Sequence, residues 1–392
     1  MEAKRIEKAP IEDLVKQLVA ENSVSTQSNL AVTQKVASWL EAIGFQTEWI
    51  RYDDPAGIAK ASIVAKRDAN NPHQAKGSQL GGASYFAHTD VVPVEDWHTG
   101  FSGPFEAVEK EGRLYGRGTC DMKGSLCCAI QAAAKIDPSD QTKPIYFVVT
   151  ADEEIGMQGA KQVHERSQLW KEMIDLDVAG IIGEPTEMQV VHAHKGTYGV
   201  ILRSTGLSAH TSTGKGKNAN EALIPALPEL LELKMQTENQ ALYQDAQFDP
   251  PTLTLNMVIK NEPLAINVTT AIAEVQLFFR TMPQVDHQTL VKNLRQIQAK
   301  HQLQWIDKGE KLSWFVSPDS PWVRELLEIT GQTKSSTVCY GTDASVLQKL
   351  RRLVVCGPGS IEQAHRKDEW ISIKQLHKAS EIYEDAFRKW AC

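Results

Sequence analysis

Apolar residues recur at helical spacing over residues 11–20 and again over 28–43, and the second run stops at Gly44, a usual helix terminator. Residues 45–52 then read as a strand, and the polar, glycine-containing residues 68–82 as a loop. Short uninterrupted apolar runs follow at 83–87, 144–150, 178–182 and 353–356. Each leads straight into polar residues. Such runs, alternating with helical stretches, predict an α/β sheet covered on both faces. Ligands bind beyond the carboxyl ends of the strands in sheets of this kind, which is where the polar tails lie.

Residues 189–300 carry a different pattern. Strands are expected at 197–204, 252–260 and 270–279, helices at 218–234 and 288–301, and a last strand at 302–306. That order is β-α-β-β-α-β, the split βαβ pattern of a ferredoxin-like α+β domain. The doubly wound pattern resumes near Pro318, so the segment reads as an insertion. Residues 1–187 with 308–392 are expected to form one domain and 188–307 the inserted one. A length of 392 residues fits two cores better than one.

Composition narrows the function classes. Hydrophobic residues at 42% and charged residues at 23% are ordinary for a soluble protein. A net charge of -7 supplies no basic face for nucleic acid. No run of about 18 apolar residues predicts a membrane span, and the charged start lacks the apolar core of a secretory signal. Cys120, Cys127, Cys128, Cys339, Cys356 and Cys392 form neither a CxxC pair nor a regular ladder, which fits a reduced cytoplasmic setting. Cys127 and Cys128, in an apolar helical stretch, read as small core residues.

The candidate chemistry sits in the polar tails. In His88-Thr89-Asp90, a strand-end histidine can offer one ring nitrogen to a metal while Asp90 is the nearby acceptor for the other. A buried structural histidine is the plain alternative. In Gly116-Arg117-Gly118-Thr119-Cys120-Asp121, the aspartate is either a helix N-cap or a carboxylate bridging two metals. Asp152-Glu153-Glu154 sets three acids side by side after a strand. They repel one another unless a cation or a proton relieves them, and the alternative is a solvated turn. Gly183-Glu184-Pro185-Thr186 and the stretch from Gly357 to His365 complete the set. A shell of histidine and carboxylate without cysteine suits catalytic zinc. Phosphate binding at Ser212 to Gly216 is set aside because the spacing does not fit GxxxxGK[ST].

Taken in order, these motifs resemble the co-catalytic zinc peptidase and deacylase family, from about residue 35 to 385. Within that family the chain most resembles the acetylornithine deacetylase group, through residues 182–186, 193–196, 251–256 and 357–369. The resemblance implies a zinc-exopeptidase-like α/β catalytic domain with a central mixed sheet, and an inserted ferredoxin-like lid and dimerisation domain. It implies two zinc ions per subunit, with cobalt or manganese as substitutes, and a homodimer formed through the inserted domain. His88 and Glu184 would hold one zinc, Glu154 and His365 the other, and Asp121 would bridge both. Asp90 would orient His88, and Glu153 would serve as general base and acid. His210 would stabilise the oxyanion, and Asn267 and Arg280 would contact substrate. The implied reaction releases the N-acyl group of a small amino acid, with N2-acetyl-L-ornithine first and N-succinyl, N-acetylcitrulline or dipeptide substrates as alternatives. A metal-free binding protein on the same scaffold would have lost a ligand, and none is lost. Departures from the family lie at Thr213-Gly214-Lys215-Gly216 and Gly103-Pro104, near the expected substrate mouth.

Overall fold

The computed structural model describes residues 2–70 and 80–392, so the expected 68–82 loop lies partly outside the described residues. Its contacts divide the chain into two units: Met1–His192 with Val316–Ser336 and Thr342–Cys392, and Ala193–Phe315 with Thr337–Gly341.

Among the strands of the large sheet are β1 (Gln46–Asp53), β2 (Ala59–Arg67), β3 (Ala83–His88), β4 (Ile145–Thr150), β5 (Ala179–Ile182), β6 (Val191–His194, of which only the first two residues belong to the first unit) and β7 (Leu353–Val355). They lie in the order β1-β2-β4-β3-β5-β7-β6. β3 pairs parallel to β4 and to β5, and β7 parallel to β5. β1 and β2 add antiparallel at one side, which makes the sheet mixed. Every residue of β3, β4, β5 and β7 is buried. Because successive side chains point to opposite faces, such strands must be covered on both.

Among the helices are α1 (Glu2–Lys8), α2 (Ile11–Val19), α3 (Leu30–Ala42) and α4 (Lys123–Lys135). α4 is buried from Lys123 through Ala133, as befits a helix apolar nearly all round. It packs on β3 together with the C-terminal helix Ile373–Ala391. Its N-cap is Met122, which overturns the capping alternative for Asp121: the aspartate precedes the helix and its carboxylate caps nothing. α1 had no sequence signal beyond one apolar residue, Ile6, which is buried. Among the described residues, no helix is long and apolar enough to cross a membrane.

In the second unit, strands Thr197–Thr205, Asn256–Glu262, Ile272–Phe279 and Gln304–Lys311 alternate with helices in the order β-α-β-β-α-β. The sheet is antiparallel, with Thr197–Thr205 and Ile272–Phe279 in the middle. Val200, Leu202, Val275 and Leu277 form its core with Leu230, Leu290 and Leu294. The expected helix over 218–234 is broken by a 3-10 turn, Ile224–Ala226, where Pro225 and then Pro228 remove backbone donors. The strand expected from 252 begins only at Asn256.

Gly183, directly after β5, has no room for a side chain. A Cβ there would overlap Tyr85 Oη and Ser125 Oγ. Those hydroxyls lie 2.6 Å apart within a buried chain that runs on to Tyr383. Gly183→Ala is therefore expected to lose about 1–3 kcal/mol of stability through overpacking. A denaturant-unfolding midpoint equal to that of the unaltered chain would contradict this.

Candidate metal centre

Parallel pairing brings the ends of β3, β4, β5 and β7 to one edge of the sheet, and the acids and histidines gather there. His88 is the last residue of β3, and Asp152-Glu153-Glu154 follow β4. Glu184 follows β5, and His365 lies in the loop beyond β7. Asp121 enters from the loop before α4. That loop is held by Glu369, whose buried carboxylate accepts from Arg117 Nη1 at 2.7 Å and from the amides of Gly118, Cys120 and Asp121 at 3.0, 2.8 and 3.0 Å. Gly118 sits at φ +84°, where a Cβ would press on Val91 and the Lys123 stem.

Asp121 stands between the two imidazoles. Its Oδ1 lies 3.0 Å from His88 Nε2, and its Oδ2 lies 3.4 Å from His365 Nε2. Glu184 Oε1 is 3.8 Å from His88 Nε2, and Glu154 is 3.1 Å from His365 Nε2. Ligand atoms of His88, Asp121 and Glu154 all fall within 4.8 Å of one another. His88 Nδ1 meets the main-chain carbonyl of Asp90 at 2.9 Å, with the carboxylate farther off at 3.7 Å. The Asp90 carboxylate instead accepts from Ser25 Oγ at 2.7 Å and from the amides of Glu153 and Glu154 at 3.2 and 3.4 Å. Asp90 thus reaches His88 through its backbone while its side chain holds the acidic turn.

Burial first, then the charge of Glu184, pushes Glu153 well above the usual carboxylate range. Burial, followed by the charge of Asp121, raises both Glu154 and Glu184. Asp121 resists its own burial through hydrogen bonds with His365 and His88, and its pKa falls. Burial opposes charge on His88, but Asp121 and Glu184 still raise it well above its ordinary value. The hydrogen bonds to Asp121 and Glu154 raise His365 to about 10. The donor set of imidazole nitrogen and carboxylate oxygen suits divalent cations.

Among the residues that sequence reasoning missed, Lys60 pairs with Asp152 at 2.7 Å with both side chains buried, and Tyr52 donates to the same carboxylate at 2.8 Å. One acid of the triplet is thus answered by a lysine. A lysine within an otherwise buried strand was the available signal. Asp343, which accepts from Thr150 Oγ1 at 2.6 Å, adds to the charge felt by Glu153. In the second unit, the loops of His210 and Asn267 meet: Thr211 N donates to Asn267 O at 3.0 Å. His210 is exposed, with Nδ1 2.7 Å from Ser212 Oγ. Arg280 is half-buried, and burial lowers its pKa.

The model of the peptidase family M20/M25/M40 matches residues 85–389. The acetylornithine deacetylase of Proteus mirabilis (strain HI4320) is 33% identical over 386 residues, 94% of each chain. The M20 family metallo-carboxypeptidase Sso-CP2 from Sulfolobus solfataricus shares the fold with a TM-score of 0.73 at 18% identity, covering 95% of this chain and 97% of that one. Human carnosine dipeptidase 1 does so with a TM-score of 0.71 at 15% identity, covering 99% and 98%.

Because the neighbouring carboxylates raise the pKa of His88 and His365, metal binding at neutral pH is expected to release protons and to tighten as pH rises. The sign follows from the raised values. The imidazolium of His365 stabilises the metal-free chain below about 6.5, and that contribution is lost as pH rises through about 10. Calorimetric titration with Zn2+ in buffers of different ionisation enthalpy measures the release. Affinity independent of pH between about 6 and about 9 would contradict it.

Proposed function

From the premise that this chain belongs to the peptidase family M20/M25/M40, we propose that it is a metal-dependent amidohydrolase that converts N2-acetyl-L-ornithine to L-ornithine and acetate, a step of arginine biosynthesis. The observation that carries the chemistry is Asp121, with one imidazole at each carboxylate oxygen. The substrate reading rests on relatives 30–33% identical that bear the name acetylornithine deacetylase.

His88, Asp121 and Glu184 would hold one zinc, and His365, Glu154 and Asp121 the other. Bound there, divalent cations supply Lewis-acid chemistry: they acidify water and polarise an acyl carbonyl. The chain's own residues do the rest. Burial raises the proton affinity of the Glu153 carboxylate, which suits it to take a proton from the attacking water and return it to the leaving amine. Asp90 keeps the Glu153–Glu154 turn against the end of β3. His210 donates to the oxyanion, since its Nδ1 is engaged by Ser212 and Nε2 is left to the substrate. Asn267 and Arg280 bind the substrate's amide region and carboxylate, where a guanidinium offers a two-pronged contact. The enzyme is read as a cytoplasmic homodimer formed through the second unit, and cobalt or manganese serves in place of zinc.

Glu153→Ala is expected to lower kcat at least 10²–10⁴-fold, the usual worth of a positioned acid–base, while metal content measured on the purified protein stays unchanged. Full turnover in that variant would refute the assignment. On a panel of N-acetyl, N-succinyl and dipeptide substrates with added zinc, acetylornithine should give the highest kcat/KM. A preference for succinyl-diaminopimelate, N-acetylcitrulline or a dipeptide would keep the chemistry and replace the substrate.

A further inference from the structure

The Lys60–Asp152 pair takes no part in the chemistry described so far, yet it belongs to a closed circuit around the acidic turn. Lys60 Nζ donates to Asp152 Oδ1 at 2.7 Å and to the carbonyl of Ser25 at 2.6 Å. Ser25 Oγ donates to Asp90 Oδ2 at 2.7 Å. Asp90 accepts from the amides of Glu153 and Glu154, and the chain leads back to Asp152. The β2–β4 register sets Ile63 opposite Val149, and continuing it past the strand's end puts Lys60 opposite Asp152. Asp152 has φ 56°, a left-handed conformation that a non-glycine residue keeps only when its surroundings enforce it.

We propose that Lys60 and Asp152 are positioning residues, whose buried pair, joined through Ser25 to Asp90, fixes the turn that presents Glu153 and Glu154. Stability alone is a poor reason for such a pair. Removing two charges from water costs about what their attraction returns, and apolar replacements are often as stable. What the pair supplies is direction: Asp152 is drawn toward β2, so the next two carboxylates face the other way, toward His88 and His365. The inference rests on the reading of Glu153 as proton carrier and Glu154 as metal ligand.

The test compares the unaltered protein with Asp152→Asn, Lys60→Met and the double variant, at a temperature where all are folded. Co2+ titration followed by its absorption spectrum reads the coordination, and kcat, KM and Tm are measured alongside. Each single variant should lose about 10–100-fold in Co2+ affinity or kcat, the usual effect of disturbing a ligand's support, with KM little changed. The double variant should recover Tm without recovering affinity or kcat. Recovery of all three together, or single variants with unaltered Co2+ spectra and kcat, would overturn the proposal. If Lys60→Met does not fold, Tyr52→Phe removes one donor to Asp152, leaves both charges in place and is read the same way. Should the unaltered protein itself bind no Co2+, the proposed function fails, and this inference falls with it. Co2+ binding and kcat both shared equally by every variant sink only the inference.

Discussion

A carboxylate taken out of water needs a partner, and the first unit is arranged around meeting that requirement for one group of acids after another. Asp152 has Lys60 and Tyr52. Glu369 has Arg117 and three amides. Asp90 has a hydroxyl and two amides, and Asp121 has two imidazoles. What is left over is acidity around Glu153, Glu154 and Glu184, all pushed toward their protonated forms. Their surroundings favour positive charge at the place where the two histidines point.

The sheet makes that gathering possible. Parallel strands end at the same edge, so residues far apart in the chain arrive as neighbours without long reaches of side chain. The exception is Asp121, which comes from a loop rather than a strand end. Its place depends on Glu369, 248 residues later in the chain, which grips the loop by its amides. The position of Asp121 is therefore only as good as the Arg117–Glu369 ion pair.

The second unit follows a different rule. Its antiparallel sheet buries one face against helices, and alternate residues such as Val200, Leu202, Val275 and Leu277 form the core. The groups assigned to substrate lie on its loops and strand ends. There the constraint is exposure: His210 is open to solvent, with Nδ1 2.7 Å from Ser212 Oγ.

Local pattern alone determined the strands that carry the site, because a short apolar run bounded by polar residues has few other stable outcomes in a covered sheet. It also marked His88, Glu153, Glu154 and Glu184, which stand within a few residues of those runs. Tertiary structure decided what spacing does not encode. Asp121 could equally have capped a helix until the fold put Met122 at that position. Asp90 was legible as a partner of His88, but only packing showed that its carbonyl takes that place while its carboxylate turns to Ser25 and the acidic turn. Lys60 and Glu369 left at most a faint trace, since an ion pair between distant residues depends on where strands and loops meet in space. Hydrophobic periodicity is a property of neighbours in the chain. Charge compensation is a property of neighbours in the folded protein.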